Sequence, residues 1–402
     1  MNRINKRLEK NIAADYVFCF LRNFDIASAI WVLYMIYRGL PLWQVGIVEG
    51  IFHVTSFLLE VPSGALADLF GRKRVIIFGR ILYAVSAVIQ LFSTNVYAFS
   101  IAFIISAASY NMNSGSEEAL LYDSMKLLGK EKEYIGVNSR LNMILEVSSA
   151  LATFIGGILA EYSYKVCYVT VVVIALLSFV PAYFFTEPVV EKNESEERKE
   201  KISFRAHFKI CVKILKENRE VTKILVYYPV VTTFCTVVYF YGQEFFSEYG
   251  LNKIQISIVM LITGVFSCLG AWSSEKMLKV FGGKTKYLAS VGMGVAILVM
   301  SGEQLVISVL GFAAVNFACS MLYPIQSAEL NAKIPSGQRA TLISVDSMIF
   351  SVAMMLFFPM CGFVADRMGL HLAFGGLGFI QIVLMLLLFT GKRKKEVGNH
   401  ES

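Results

Sequence analysis

The sequence predicts an all-α membrane protein with twelve transmembrane helices in two six-helix halves and both termini cytoplasmic. Three observations carry that expectation. Of the 402 residues, 56% are hydrophobic and 17% charged, against about 45–50% and about 25% in soluble domains. Apolar runs of the ~20 residues that a bilayer-spanning helix needs recur along the whole chain. Lys and Arg are divided very unequally between alternate connecting segments.

Apolar runs and their breaks place the spans at 13–37, 42–66, 74–93, 96–121, 138–160, 165–186, 223–246, 254–278, 285–302, 304–327, 338–361 and 370–390. The third–fourth and ninth–tenth breaks, Ser93-Thr94-Asn95 and Ser301-Gly302-Glu303-Gln304, are the shortest. The charged opening MNRINKRLEK precedes a stretch too long for a signal-peptide core, with no small-residue cleavage site, so it reads as a retained first span. With the N-terminus inside, 31 of the 37 Lys and Arg fall on or beside cytoplasmic segments. Four lie outside (Arg38, Lys165, Lys253, Arg367), and Arg22 and Arg80 lie within spans. The net charge of +7 is thereby an orientation signal, and nucleic acid is not expected as a partner.

One long polar segment, 187–222, separates an N-terminal half (1–186) from a C-terminal half (223–402). It opens with mixed charge, EPVVEKNESEERKEK. It then sets Phe204, Phe208, Cys211 and Leu215 at helical spacing among Arg205, Lys209, Lys213 and Lys216, the pattern of a basic amphipathic helix on the inner membrane face. The seven cysteines are scattered without a CxxC pair and read as small apolar residues. The four histidines have no ligand spacing. No metal, no cofactor and no enzymatic nucleophile or phosphate loop is expected.

A short motif repeats. Gly64-x-x-Ala67-Asp68 ends span two, Gly157-x-x-Ala160-Glu161 ends span five and Gly362-x-x-Ala365-Asp366 ends span eleven. Gly369 follows Asp366 at the distance at which Gly71 follows Asp68. Span eight ends in a blurred copy, Gly270-x-x-Ser273-Ser274-Glu275, with Gly282-Gly283-Lys284 beyond. Recurrence every three spans, with alternating direction across the membrane, is the mark of 3+3 inverted repeats nested in two halves.

The full stretch GALADLFGRKR, residues 64–74, resembles the hallmark loop between spans two and three of the major facilitator superfamily. Residues 114–124, SGSEEALLYDS, are similar to a stretch in a bacterial branch related to drug–proton antiporters. In the hallmark, Gly64 removes a side chain for close helix approach. Asp68 sits at the disfavoured C-terminal end of its own helix and needs a partner. The resemblance implies that this partner is the N-terminus of span eleven. Gly71 permits a turn at positive φ, Arg72 is placed to pair with Asp123, and Lys73 and Arg74 anchor the loop inside. Gly64, Asp68, Gly71, Arg72 and Asp123 are the candidate gating set. The chain departs from the antiporter pattern late in span five, where only Gly156-Gly157 of a G-P-x-x-G-G signature survives, and span four lacks the arginine of many drug exporters.

Ionisable groups deep in a membrane are functional candidates. In span one, Arg22 and Asp25 share a helix face and can pair, as a structural or a working pair. Span two carries a polar stripe, Glu49, His53, Ser56, Glu60 and Ser63, whose composition favours a water-filled cavity over helix packing. Span five has Asn142, Glu146, Ser149, Thr153 and Gly157; span four has Tyr110, Asn113 and Glu117. Span seven offers Tyr228, Thr232, Tyr239 and Gln243, and the second half holds one acid well inside a span, Asp346. Asp25, Glu60 and Glu146 are the proton-coupling candidates. Arg22, His53, Asn113, Glu117, Asn142, Tyr228, Tyr239, Gln243 and Asp346 are the cavity candidates.

The expected function is secondary active transport in a bacterial inner membrane by alternating access. The leading form is proton-coupled export of a small amphipathic compound by a monomer in the lipid bilayer. Uptake or facilitated diffusion of a polar metabolite, with Arg22 on an anionic group, stays open, as does a receptor or scramblase reusing the fold. An enzyme is the weakest reading.

Overall fold

The computed structural model describes residues 3–188, 219–333 and 339–398, and among them every regular element is helical. The elements are α1 (Arg3–Asn23), α2 (Trp31–Tyr37), α3 (Leu42–Phe70), α4 (Arg72–Phe92), α5 (Val96–Leu127), α6 (Tyr134–Tyr162), α7 (Tyr164–Leu177) and α8 (Phe179–Phe184). They continue with α9 (Arg219–Glu248), α10 (Lys253–Phe281), α11 (Thr285–Met300), α12 (Leu305–Lys333), α13 (Arg339–Met368) and α14 (Leu370–Gly398). Eight stretches among the described residues are long and apolar enough to cross a membrane, the longest of them, Lys253–Met300, holding both α10 and α11. The amphipathic helix expected at Phe204–Leu215 lies outside the described residues.

Most helices overrun the expected spans, because a helix continues into the interface after its apolar run ends. α5 runs past residue 121 to Leu127 and is stopped by Gly129 at φ +69°. Two spans are broken. The expected span 13–37 is a helix to Asn23, a turn through Ile30 and a second helix from Trp31. The expected span 165–186 is α7 and α8 joined at Ser178. The first break contains no glycine or proline, so composition gave no warning there; the second is followed by Pro181 in the first turn of α8, which has no N–H to bond the Leu177 carbonyl.

The chain forms two compact units, Met1–Gly39 with Ile51–Lys213, and Leu40–Gly50 with Ile214–Ser402. The division thus falls inside α3, whose first turns cluster with the second unit. In the first unit, small and polar residues bring helices together, as expected where lipid removes the hydrophobic drive between them. A Cβ on Gly79 of α4 would lie 2.3 Å from Asn113 Nδ2 of α5. Ser86 Oγ donates to the Ala102 carbonyl at 2.8 Å. The short Ser93–Asn95 turn works because Asn95 Oδ1 caps α5, accepting from Ala98 N–H at 3.0 Å. Ser56 Oγ donates to Asn111 Oδ1 (2.8 Å), and Asn111 Nδ2 donates to the Ser56 carbonyl (2.6 Å), joining α3 to α5. In the second unit, a Cβ on Gly270 of α10 would lie 2.1 Å from the Phe317 carbonyl oxygen of α12. Tyr239 stacks on Phe312 with ring centroids 6.1 Å apart.

Candidate functional site: a buried charge cluster

Charged side chains converge inside the first unit. Along one face of α1 stand Asn11, Asp15, Cys19 and Arg22, at helical spacing. Arg22 forms an ion pair with Glu117 of α5, the two side chains 23% and 11% exposed. Asp15 is 1% exposed, and neither of its carboxyl oxygens has a hydrogen-bond partner. The charges acting on it are those of Glu117 and Arg22. Arg80 of α4 is buried, donates from Nε to Ser178 Oγ at 2.7 Å and lies 4.5 Å from the ring centroid of Tyr83. Its Nη2 has no partner. Ser178 is the α7–α8 junction, and its hydroxyl donates back to the Ala175 carbonyl.

Asp25 sits in the break between α1 and α2 and makes it. Its Oδ1 accepts from Ala27 N–H at 3.0 Å, a side-chain turn that competes with helical hydrogen bonding. The backbone turns through Ser28 N–H to Asp25 O (3.1 Å) and Ile30 N–H to Ala27 O (2.9 Å). Tyr83 and Arg80 face the carboxyl group. The Ile26 carbonyl, freed by the turn, points at α6, where a Cβ on Gly156 would lie 2.1 Å from its oxygen. A glycine is required there for lack of space.

The break overturns the expected Arg22–Asp25 pairing. The two residues share a face only on a continuous helix, and the helix ends at Asn23. Arg22 turns to Glu117 instead. The cation absent from span four is thus supplied by span one, to an acid on span four. The cluster holds two guanidinium groups, Arg22 and Arg80, against three carboxyl groups, Asp15, Asp25 and Glu117, linked through mutual electrostatics. Asp15, Arg80 and Tyr83 were missed as site residues. Asp15 could have been found by extending the Arg22 face down α1, and Arg80 by pursuing a cation inside a span.

The other candidates are dispersed. His53, Ser56 and Ser63 are buried, and Ser56 is spent on Asn111. Glu60 is half-buried. Asn142 and Glu146 are exposed on α6. Asn113 is buried against Gly79 and donates to the Ser109 carbonyl at 2.7 Å. In the second unit Tyr228 and Gln243 are fully buried. Asp346 accepts from Gln326 Nε2 at 2.7 Å. Lys286 Nζ bonds both oxygens of Glu329 (2.6 and 2.7 Å), about 6 Å from the rings of Tyr227, Tyr228 and Tyr287.

In the hallmark loop, Gly71 has φ +88° and opens α4. Arg72 pairs with Asp123 and donates to the Ala119 carbonyl. Glu187, beyond α8, supplies what the sequence reading missed: its two carboxylate oxygens accept from Arg72 and Lys73 N–H, each at 2.8 Å, capping α4. Asp68 is exposed at the end of α3. The close approach expected at Gly64 is not made among the described residues, where a Cβ would meet nothing within 4 Å.

Comparison with known proteins agrees with this architecture. The Major Facilitator Superfamily profile matches residues 16–302. The uncharacterized MFS-type transporter YxaM of Bacillus subtilis is 24% identical over 390 residues, covering 93% of this chain and 94% of the relative. Multidrug resistance protein 2 of Bacillus subtilis is 22% identical over 360 residues, covering 87% and 86%. The crystal structure of the nucleoside transporter NupG superposes with a TM-score of 0.75 at 13% identity, covering 97% of this chain and 99% of that one. The relatives and neighbours are membrane transporters and not enzymes, and the chain belongs to the Major Facilitator Superfamily of multi-pass membrane transporters.

Proposed function

We propose that the chain is a secondary active transporter of twelve spans, with both termini cytoplasmic in a bacterial inner membrane, that exports small amphipathic compounds in exchange for protons by alternating access. The observation that carries the reading is the buried cluster of two cations and three carboxyl groups beside a broken first span. Its charges balance only with one added proton. Isolated charge is costly in a low-dielectric interior, so proton uptake and release there is tied to rearrangement of the pairs. Discontinuous helices near the middle of the membrane are where transporters place ions and substrate. Likeness to a multidrug resistance protein supports export. The reading as an uptake protein with Arg22 on an anionic group has less support, because Arg22 is already held by Glu117.

Proteoliposomes with an imposed pH gradient test the proposal. Wild type is expected to accumulate a cationic dye against its gradient. Asp25→Asn and Asp15→Asn are expected to lose gradient-driven accumulation while retaining dye counterflow. Unchanged pH-driven accumulation in both variants would remove the cluster from the coupling path.

A further inference from the structure

The motif that ends span eleven is engaged in the structure. Asp366, at the end of α13, places Oδ1 3.0 Å from Leu42 N and Oδ2 2.7 Å from Trp43 N. These are the first two amides of α3, whose N–H groups have no partner within their own helix. The carboxylate accepts from both, at the positive end of the helix dipole. Pro41 precedes them, its carbonyl accepting from Gln44 and Val45 N–H. Below the carboxylate the two backbones touch. A Cβ on Gly362 would lie 2.5 Å from the Leu42 carbonyl oxygen, and one on Gly46 would lie 2.6 Å from Pro359 Cα. Tyr241, fully buried on α9, sets its hydroxyl 3.3 Å from the Leu42 carbonyl and 3.1 Å from that of Phe358. All these residues belong to the second unit, while α3 itself continues through Phe70 into the first.

The turn after Asp366 repeats the turn after Asp68. Gly369 has φ +83° and Gly71 has φ +88°, each three residues past the acid and each opening a new helix. The family resemblance gives Asp68, at the end of span two, the N-terminus of span eleven as its partner. Here Asp366, at the end of span eleven, holds the N-terminus of span two. We propose that Asp366 is a second clasp on the same pair of helices, at their opposite ends. It pins the first turn of α3 to α13 in this conformation and is released when the transporter changes its open side. On the charge distribution of the loops, this end faces outward. The release step rests on the alternating-access reading; the clasp itself does not.

The test uses the full-length protein with Cys361 as its sole cysteine, the other six replaced by serine. Cys361 is buried, five residues before Asp366 and beside Tyr241. Asp366→Asn and Asp366→Ala are labelled in intact cells with a membrane-impermeant maleimide. Hydrogen exchange of the Leu42–Trp43 peptide is followed in purified protein. Labelling is expected to rise about tenfold or more, the factor attached to losing a charge-assisted hydrogen bond, and amide protection at α3 is expected to fall. Asn keeps the shape of Asp, so a rise in that variant with an unchanged elution profile is not a folding defect. Gly362→Ala provides the contrast, forcing the backbones apart with the charge intact. Should Gly362→Ala raise labelling while both Asp366 variants match wild type, packing alone holds the contact and the clasp is overturned. Raised labelling with no transport in any variant, wild type included, would leave the clasp standing and remove the alternating-access reading.

Discussion

At the residue scale the energetics centre on Arg22 and Glu117. Both were legible as charges inside spans, because an ionisable group among apolar neighbours stands out in any sequence. Their pairing was not legible. It depends on a helix ending at Asn23, and no glycine or proline marks that end. Removing one member of a largely buried pair strips the other of its direct hydrogen-bonded partner, whereas removing both can cost little. Glu117→Gln is expected to lower stability by about 3 kcal/mol, toward the low end for such pairs since Arg22 keeps some solvent contact. The double variant Arg22→Met, Glu117→Leu is expected to recover most of that loss. Thermal unfolding in detergent reads both. A double variant no more stable than Glu117→Gln would show that the two side chains do not depend on each other.

At the element scale, helix existence was plain and helix continuity was not. Hydropathy reports apolar length, and α3, α4 and α9–α14 all lie on apolar runs found in advance. The break at Phe24–Ile30 is set by tertiary structure. Asp25 turns its carboxyl onto Ala27 N–H, Arg80 and Tyr83 face that carboxyl, and Gly156 makes room for the displaced Ile26 carbonyl. Gly156 was visible only as half of a degraded glycine signature, without its reason. Gly156→Ala is expected to destabilise by about 1–3 kcal/mol, as forced overpacking does, because the Ile26 backbone cannot swing aside as a side chain could. Gly64→Ala, with open space around it, is expected to change stability by under about 0.5 kcal/mol. Melting temperatures of the two variants check this; equal shifts would mean that the break relaxes freely.

At the scale of the whole molecule, the repeat was read from four short motifs, and its backbone counterpart is concrete. Asp68–Gly71 and Asp366–Gly369 make the same turn at φ +88° and +83°. The unit boundary within α3 was not legible, since hydropathy treats 42–66 as one run and only contacts divide it. Orientation rests on charge, because translocating Lys and Arg is costly while cytoplasmic retention is not. With 31 cationic residues on one set of segments and four on the other, fusions report the topology directly. Alkaline phosphatase joined after Gly39 or after Met368 is expected to be active, and joined after Leu128 or at the C-terminus inactive. Green fluorescent protein at the C-terminus is expected to fluoresce. The four fusion points alternate in span number, so one missing or extra crossing inverts every later signal. An active phosphatase at the C-terminus together with an inactive one after Gly39 would reverse the orientation, and with it the side on which the Asp366 clasp opens.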